Sequence, residues 1–113
     1  MRVLLAVHHP LDLRFEGFGL VVLEAMACGL VPVATPVGVV PAVIDHDVNG
    51  MIAPPSQPEV IANVVRSLAS DPERLRRMQI AGSEAIRSFS WRRCADETAA
   101  VYALAREARA RRR

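Results

Sequence analysis

An α/β fold is predicted by three short apolar runs, Val3 to Val7, Val31 to Thr35 and Met51 to Ala53, which alternate with helix-period patterns. Runs of this length that are apolar throughout fit strands of a short parallel sheet, and the stretches between them supply crossover helices. The chain then closes on two or three consecutive helical patterns and no further strand.

Each element has a local signal. Met1 to Val7 is too short for the apolar core of a signal peptide with its flanks and reads as a buried strand. Gly29 stands where a helix ends in a left-handed residue, so a helix runs from about Gly19 or Leu20 to that point. Pro36, Gly38 and Pro41 mark a loop before a short helix over Pro41 to Ile44, and Asn49-Gly50 turns the chain into the third strand. Ser56-Gln57-Pro58-Glu59 has the capping-box pattern, followed by Val60, Ile61, Val64, Val65 and Leu68 on one face. Asp71 is the expected N-cap of the next helix, with Pro72 at its first position and Leu75, Met78, Ala81, Ala85, Ile86 and Phe89 as its buried stripe. Ser90 caps the last helix, whose packed side is Trp91, Cys94, Ala95, Thr98, Val101, Tyr102 and Ala105.

Composition narrows the class. The chain has 113 residues, enough for one domain, with 51% hydrophobic and 23% charged residues and a net charge of +2. No run is long enough to span a membrane. Cys28 and Cys94 are far apart and lack a C-x-x-C spacing, so both read as reduced core thiols. The basic residues, 14 in number, are all Arg. Arg106, Arg109, Arg111, Arg112 and Arg113 could face nucleic acid or an anionic bilayer, but cations at a helix C-terminus complement its dipole, and a solvated end is the better reading.

The chemistry concentrates in residues 16–29. Glu16 and Glu24 lie eight positions apart around Gly17-Phe18-Gly19 and an otherwise apolar helix. A Glu inside an apolar run needs a protein partner or a ligand. Gly17 and Gly19 permit close approach of the backbone to a bound group, and the first N–H groups of the helix, with its positive end, suit phosphate. Eight residues rise roughly 12 Å and return to within roughly 80° of the same side, so a long ligand could touch both carboxylates. A diphosphate at the turn with a hydroxyl-bearing group at each end has the shape of a nucleotide-sugar. The glycines are not a dinucleotide fingerprint, because Val22 stands where a third glycine is required, and a chain without Lys has no phosphate loop of the Gly-Lys-Ser/Thr type. Phe18 could be a core ring that offers only its backbone N–H. His8-His9-Pro10 follows the first strand and fits an ordinary loop or a ligand contact. His46 is distant from that pair, and Asp45, His46 and Asp47 read as a solvated loop, so no metal is expected.

These residues resemble the E-x7-E donor-site motif of retaining GT-B glycosyltransferases (family 4, glycosyl transferases group 1). The resemblance continues through Ala25-Met26-Ala27-Cys28-Gly29, Val31-Pro32-Val33-Ala34-Thr35, Val37-Gly38, Val40-Pro41, Val48-Asn49-Gly50 and Pro54-Pro55 to Asp71-Pro72 and Phe89-Ser90-Trp91. Val39 departs from it, where the family usually has a second glycine, and so does Ala42, where it usually has a glutamate.

The resemblance implies a partial Rossmann-like domain, residues 1–113, equivalent to the C-terminal half of a donor-binding domain, with the N-terminal acceptor domain absent. It implies a UDP- or GDP-sugar as partner, no separate cofactor and no nucleic acid. Glu16 would bind the donor sugar and contribute to catalysis, the backbone of Gly17, Phe18 and Gly19 would meet sugar hydroxyls, Leu20 and Val21 N–H groups the diphosphate, and Glu24 the ribose. The expected location is cytoplasmic, with a peripheral membrane position left open. A truncated reading frame or an expressed fragment is expected, catalytically incomplete and prone to self-association through an open sheet edge and the last helix. The rival reading is a non-catalytic remnant or interaction module of the same fold.

Overall fold

A computed structural model describes residues 3–7 and 19–113. Strands β1 (Val3–Ala6), β2 (Val31–Ala34) and β3 (Met51–Ile52) form a parallel sheet in the order β1-β2-β3, with Val3 opposite Val31 and Val33 opposite Met51. Helices α1 (Leu20–Ala27), α2 (Val40–Val43), α3 (Pro58–Ser70), α4 (Pro72–Ile86) and α5 (Trp91–Arg111) complete the chain.

The sheet is dressed on two faces because its central strand is buried along its whole length. Val31 and Val33 meet Ile61, Leu68, Leu75 and Met78 of α3 and α4. Ala6 and Ala34 instead share a cluster with Val22 and Met26 of α1 and with Val39, Val40, Val43 and Ile44. Helix α4 serves both clusters, since Ala85 and Ile86 pack on the α1 side. Gly82 lies at this crossing, where a Cβ would make ordinary contacts with Asn49 O at 3.5 Å and Met26 Cε at 3.7 Å.

Local chemistry sets most boundaries. Helix α1 ends in a Schellman motif, with Gly29 at φ +75 and the N–H groups of Gly29 and Leu30 donating to Met26 O and Ala25 O at 3.1 and 2.9 Å. Asp71 caps α4 through Oδ1 to the Arg74 N–H (3.0 Å), and Ser90 caps α5 through Oγ to the Arg93 N–H (3.1 Å). The start of α3 differs from the expected capping box. Gln57, not Ser56, is its N-cap and makes no side-chain cap bond. Pro58 at the first helical position keeps Gln57 out of the helical region (φ −124, ψ 74), and Ser56 turns at φ +60, one residue too early to cap. Helix α2 also begins one residue before the expected position, at Val40.

One expectation about packing is corrected, that of the two core thiols, and the expected uncovering of the last helix is observed. Cys28 and Cys94 are free but exposed, because Cys28 falls at the end of α1 and α5 covers nothing. Helix α5 has no buried residue at all, and Trp91, Val101, Tyr102 and Leu104 are 78%, 62%, 68% and 65% exposed. The chain is therefore long, 63 × 33 × 17 Å, with a radius of gyration of 17.6 Å, against roughly 13 Å for a compact chain of this length. On the outer side of β1, Leu5, Val7, Pro58, Ile61, Ala62 and Val65 line an apolar groove.

Candidate functional site

In a parallel sheet the strand-to-helix connections gather at the carboxyl ends of the strands, where α/β domains place ligands. Helix α1 follows β1 and α2 follows β2, so both helix starts lie on that side. Gly19 is the N-cap of α1, buried and left-handed at φ +90 and ψ +46, with no side-chain cap. The Val22 N–H donates back to Gly19 O at 3.0 Å. Leu20 and Val21, each 44% exposed, begin the helix with N–H groups that have no helical acceptor, and no acidic side chain occupies the first turn to offset the positive helix end.

Val22, Ala25 and Met26 turn the apolar side of α1 into the core. Glu24 is thereby exposed, one turn beyond Leu20 and so on the same side as it. Among the described residues its carboxylate forms no ion pair. A group bound at the Leu20 and Val21 N–H groups could extend about 6 Å along this face to Glu24. Glu16, Gly17, Phe18, His8 and His9 lie outside the described residues, so only Gly19, Leu20, Val21 and Glu24 of the expected site are placed together.

The connection after β2 forms the neighbouring wall. The Thr35 N–H donates to Ala6 O at 3.2 Å, the Val37 N–H to Thr35 O at 2.8 Å, and Gly38 turns at φ +56. Val39 then approaches α1, its Cγ1 lying 3.7 Å from the point a Cβ on Gly19 would occupy. At the opposite ends of the strands, the Asp45-to-Gly50 loop is more ordered than a merely solvated turn. Buried Asn49 accepts the Asp45 N–H at 2.8 Å and donates to Val43 O at 3.1 Å, and His46 Nδ1 accepts the Ile52 N–H at 2.9 Å. The Asn-Gly pair signalled the turn in the sequence. Nothing local signalled that Asn49 would bracket the end of α2.

Helix start, exposed carboxylate and parallel sheet define an α/β layer with the start of α1 at the carboxyl ends of its strands. The chain belongs to the glycosyl transferases group 1 family, whose profile matches residues 3–85. It is 41% identical over 90 residues to the D-inositol 3-phosphate glycosyltransferase of Segniliparus rotundus, a match that covers 80% of this chain and 20% of that one. It is 36% identical over 95 residues to the alpha-maltose-1-phosphate synthase of Mycolicibacterium smegmatis, covering 78% and 24% respectively. Among solved structures, sucrose-phosphate synthase from Thermosynechococcus elongatus superposes with a TM-score of 0.74 at 30% identity, over 83% of this chain and 24% of that one. Anabaena Alr3699/HepE in complex with UDP and glucose gives 0.74 at 25% identity, over 88% and 27%. The chain thus spans about a fifth to a quarter of the length of these relatives.

Proposed function

We propose that this chain is the donor-binding part of a retaining glycosyltransferase that uses a nucleotide-diphosphate sugar. The observation that carries the reading is the alignment, on one exposed face of α1, of the Leu20 and Val21 N–H groups with the Glu24 carboxylate. The diphosphate accepts from the two N–H groups, where the helix end favours negative charge, and Glu24 accepts from the ribose hydroxyls. Glu16 and the Gly17-Phe18-Gly19 backbone hold the sugar, with Glu16 contributing to catalysis. The HepE complexes with UDP support a uridine nucleotide over a guanosine one. The acceptor is held by a second domain or partner chain, so the 113-residue chain alone does not turn over donor. Its site of action is the cytoplasm. Among the described residues no helix is long and apolar enough to cross a membrane.

Calorimetric titration with UDP and with GDP tests the reading. Glu24→Gln removes the charge of an exposed side chain, so it is expected to weaken UDP about tenfold and leave the unfolding midpoint unchanged. A wild-type chain that binds neither nucleotide overturns the reading and favours the non-catalytic module. Binding that Glu24→Gln leaves unaltered removes the ribose role.

A further inference from the structure

The connection between α2 and β3 is exposed at Asp45, His46, Asp47 and Val48 and buried at Asn49 and Gly50. These two residues form the chain's single Asn-Gly pair, and the other asparagine, Asn63, precedes Val64 within α3. An Asn before Gly is prone to ring closure, because no side chain shields the following backbone nitrogen. The folded chain opposes that reaction. Asn49 is 6% exposed, its Oδ1 accepts the Asp45 N–H at 2.8 Å and its Nδ2 donates to Val43 O at 3.1 Å. The backbone on both sides is held as well, with the Asn49 N–H donating to Asp45 O at 3.1 Å and the Asp47 N–H to Gly50 O at 2.8 Å. Ring closure draws Cγ onto the Gly50 nitrogen and expels Nδ2, so it breaks both side-chain bonds.

We propose that Asn49-Gly50 is a deamidation site, closed in the folded chain and open in the unfolded one, whose products cannot restore the native loop. When the loop opens, the Gly50 nitrogen attacks Asn49 Cγ, its proton passes to water, and Nδ2 leaves as ammonia. Water then opens the cyclic imide at one of its two carbonyls, giving either an aspartate at position 49 or an isoaspartyl link. The aspartate presents oxygen to Val43 O where the amide presented a donor, and an ionised carboxylate has no proton to give. Burying that charge without its partner is costly. The isoaspartyl link adds an atom to the main chain beside Gly50, where a Cβ would already lie 2.8 Å from Pro32 Cγ and 3.0 Å from Pro32 O. The pair therefore records the time the loop has spent open.

The test ages the 113-residue chain in buffer and in guanidinium chloride and follows conversion of each asparagine by peptide mass spectrometry. In denaturant, Asn49 is expected to convert at least about tenfold faster than Asn63, and Gly50→Ala to slow it about tenfold. Equal rates at the two asparagines, or no effect of Gly50→Ala, overturn the route through the Gly50 nitrogen. In buffer, Asn49 is expected to convert about a hundredfold more slowly than in denaturant, because reaction waits on opening. Equal rates in the two solvents overturn the protection. Chain aged in denaturant is then returned to buffer and treated with a protease. The unconverted fraction is expected to become resistant and the converted fraction to stay sensitive; an equal response of the two overturns the claim that the products cannot restore the loop. Asn49→Asp, made directly, is expected to lower the folded-to-unfolded ratio at least about tenfold. Wild-type stability in that variant overturns the same claim.

Discussion

Arg74 donates through Nε to Asp47 Oδ1 at 3.0 Å, tying the first turn of α4 to the connection between α2 and β3. The same guanidinium reaches Ser67 Oγ at 2.9 Å and the sulfur of Met51 at 3.7 Å. Asp47 can be placed this way because it is left-handed, φ +65, with its N–H donating to Gly50 O at 2.8 Å. One side chain therefore holds α3, α4 and the loop before β3 in register. Exposed ion pairs contribute little, but this one is bound to several partners and its Arg is only 24% exposed. Arg74→Ala is expected to destabilise the chain by about 1 kcal/mol, most of it lost packing and hydrogen bonds. Arg74→Lys should recover less than half, because an ammonium cannot serve the three partners at once. Denaturant unfolding of the two variants decides this; equal stability of Arg74→Ala and wild type would show that the tie is idle.

Two glycines are required for different reasons, and their alanine variants should separate them. A Cβ on Gly50 would lie 2.8 Å from Pro32 Cγ, 3.0 Å from Pro32 O and 3.1 Å from Ile44 Cγ2. The carbonyl belongs to the central strand and cannot yield, so Gly50→Ala is expected to cost about 1–3 kcal/mol by overpacking. Gly29 has open space around its missing Cβ but sits at φ +75. Gly29→Ala is expected to cost about 1 kcal/mol from backbone strain alone. Thermal unfolding should rank Gly50→Ala below Gly29→Ala; the reverse order would mean that strand β2 adjusts to admit the methyl group.

Features decided within a few residues were legible in the sequence. Gly29, Asp71 and Ser90 end or begin helices through bonds to their own neighbours, and each does so in the structure. Ser56 was misread because the restriction that Pro58 places on Gln57 outweighs the capping-box pattern. The parallel sheet followed from three apolar runs, but the role of Asn49 did not, since its partners depend on where α2 ends. The common placement of Leu20, Val21 and Glu24 on one helix was legible, whereas the approach of Val39 to Gly19 joins two connections that only the folded sheet brings together. Helix periodicity in α5 marked an apolar side correctly, but periodicity reports a face that wants a partner and not whether this chain supplies one.

That unpartnered side sets the last prediction. Trp91, Val101, Tyr102 and Leu104 are all more than 60% exposed on a helix whose described residues bury nothing. On β1, the edge strand among the described residues, Leu5 is 53% exposed, and Val7 just after it is 40% exposed. Apolar surface of this kind gains about 25 cal/mol per Å² when covered, so a second copy is favoured as concentration rises. Light scattering of the purified chain is expected to show an average mass that rises with concentration. Replacing Val101 and Tyr102 together by Ser should lower that mass at a given concentration. The same replacement should leave the stability of the α/β core within about 0.5 kcal/mol, because neither side chain contributes to it. A concentration-independent monomer would show that the exposed face of α5 does not drive association. A large loss of stability in the double variant would show that α5 packs on the core in solution.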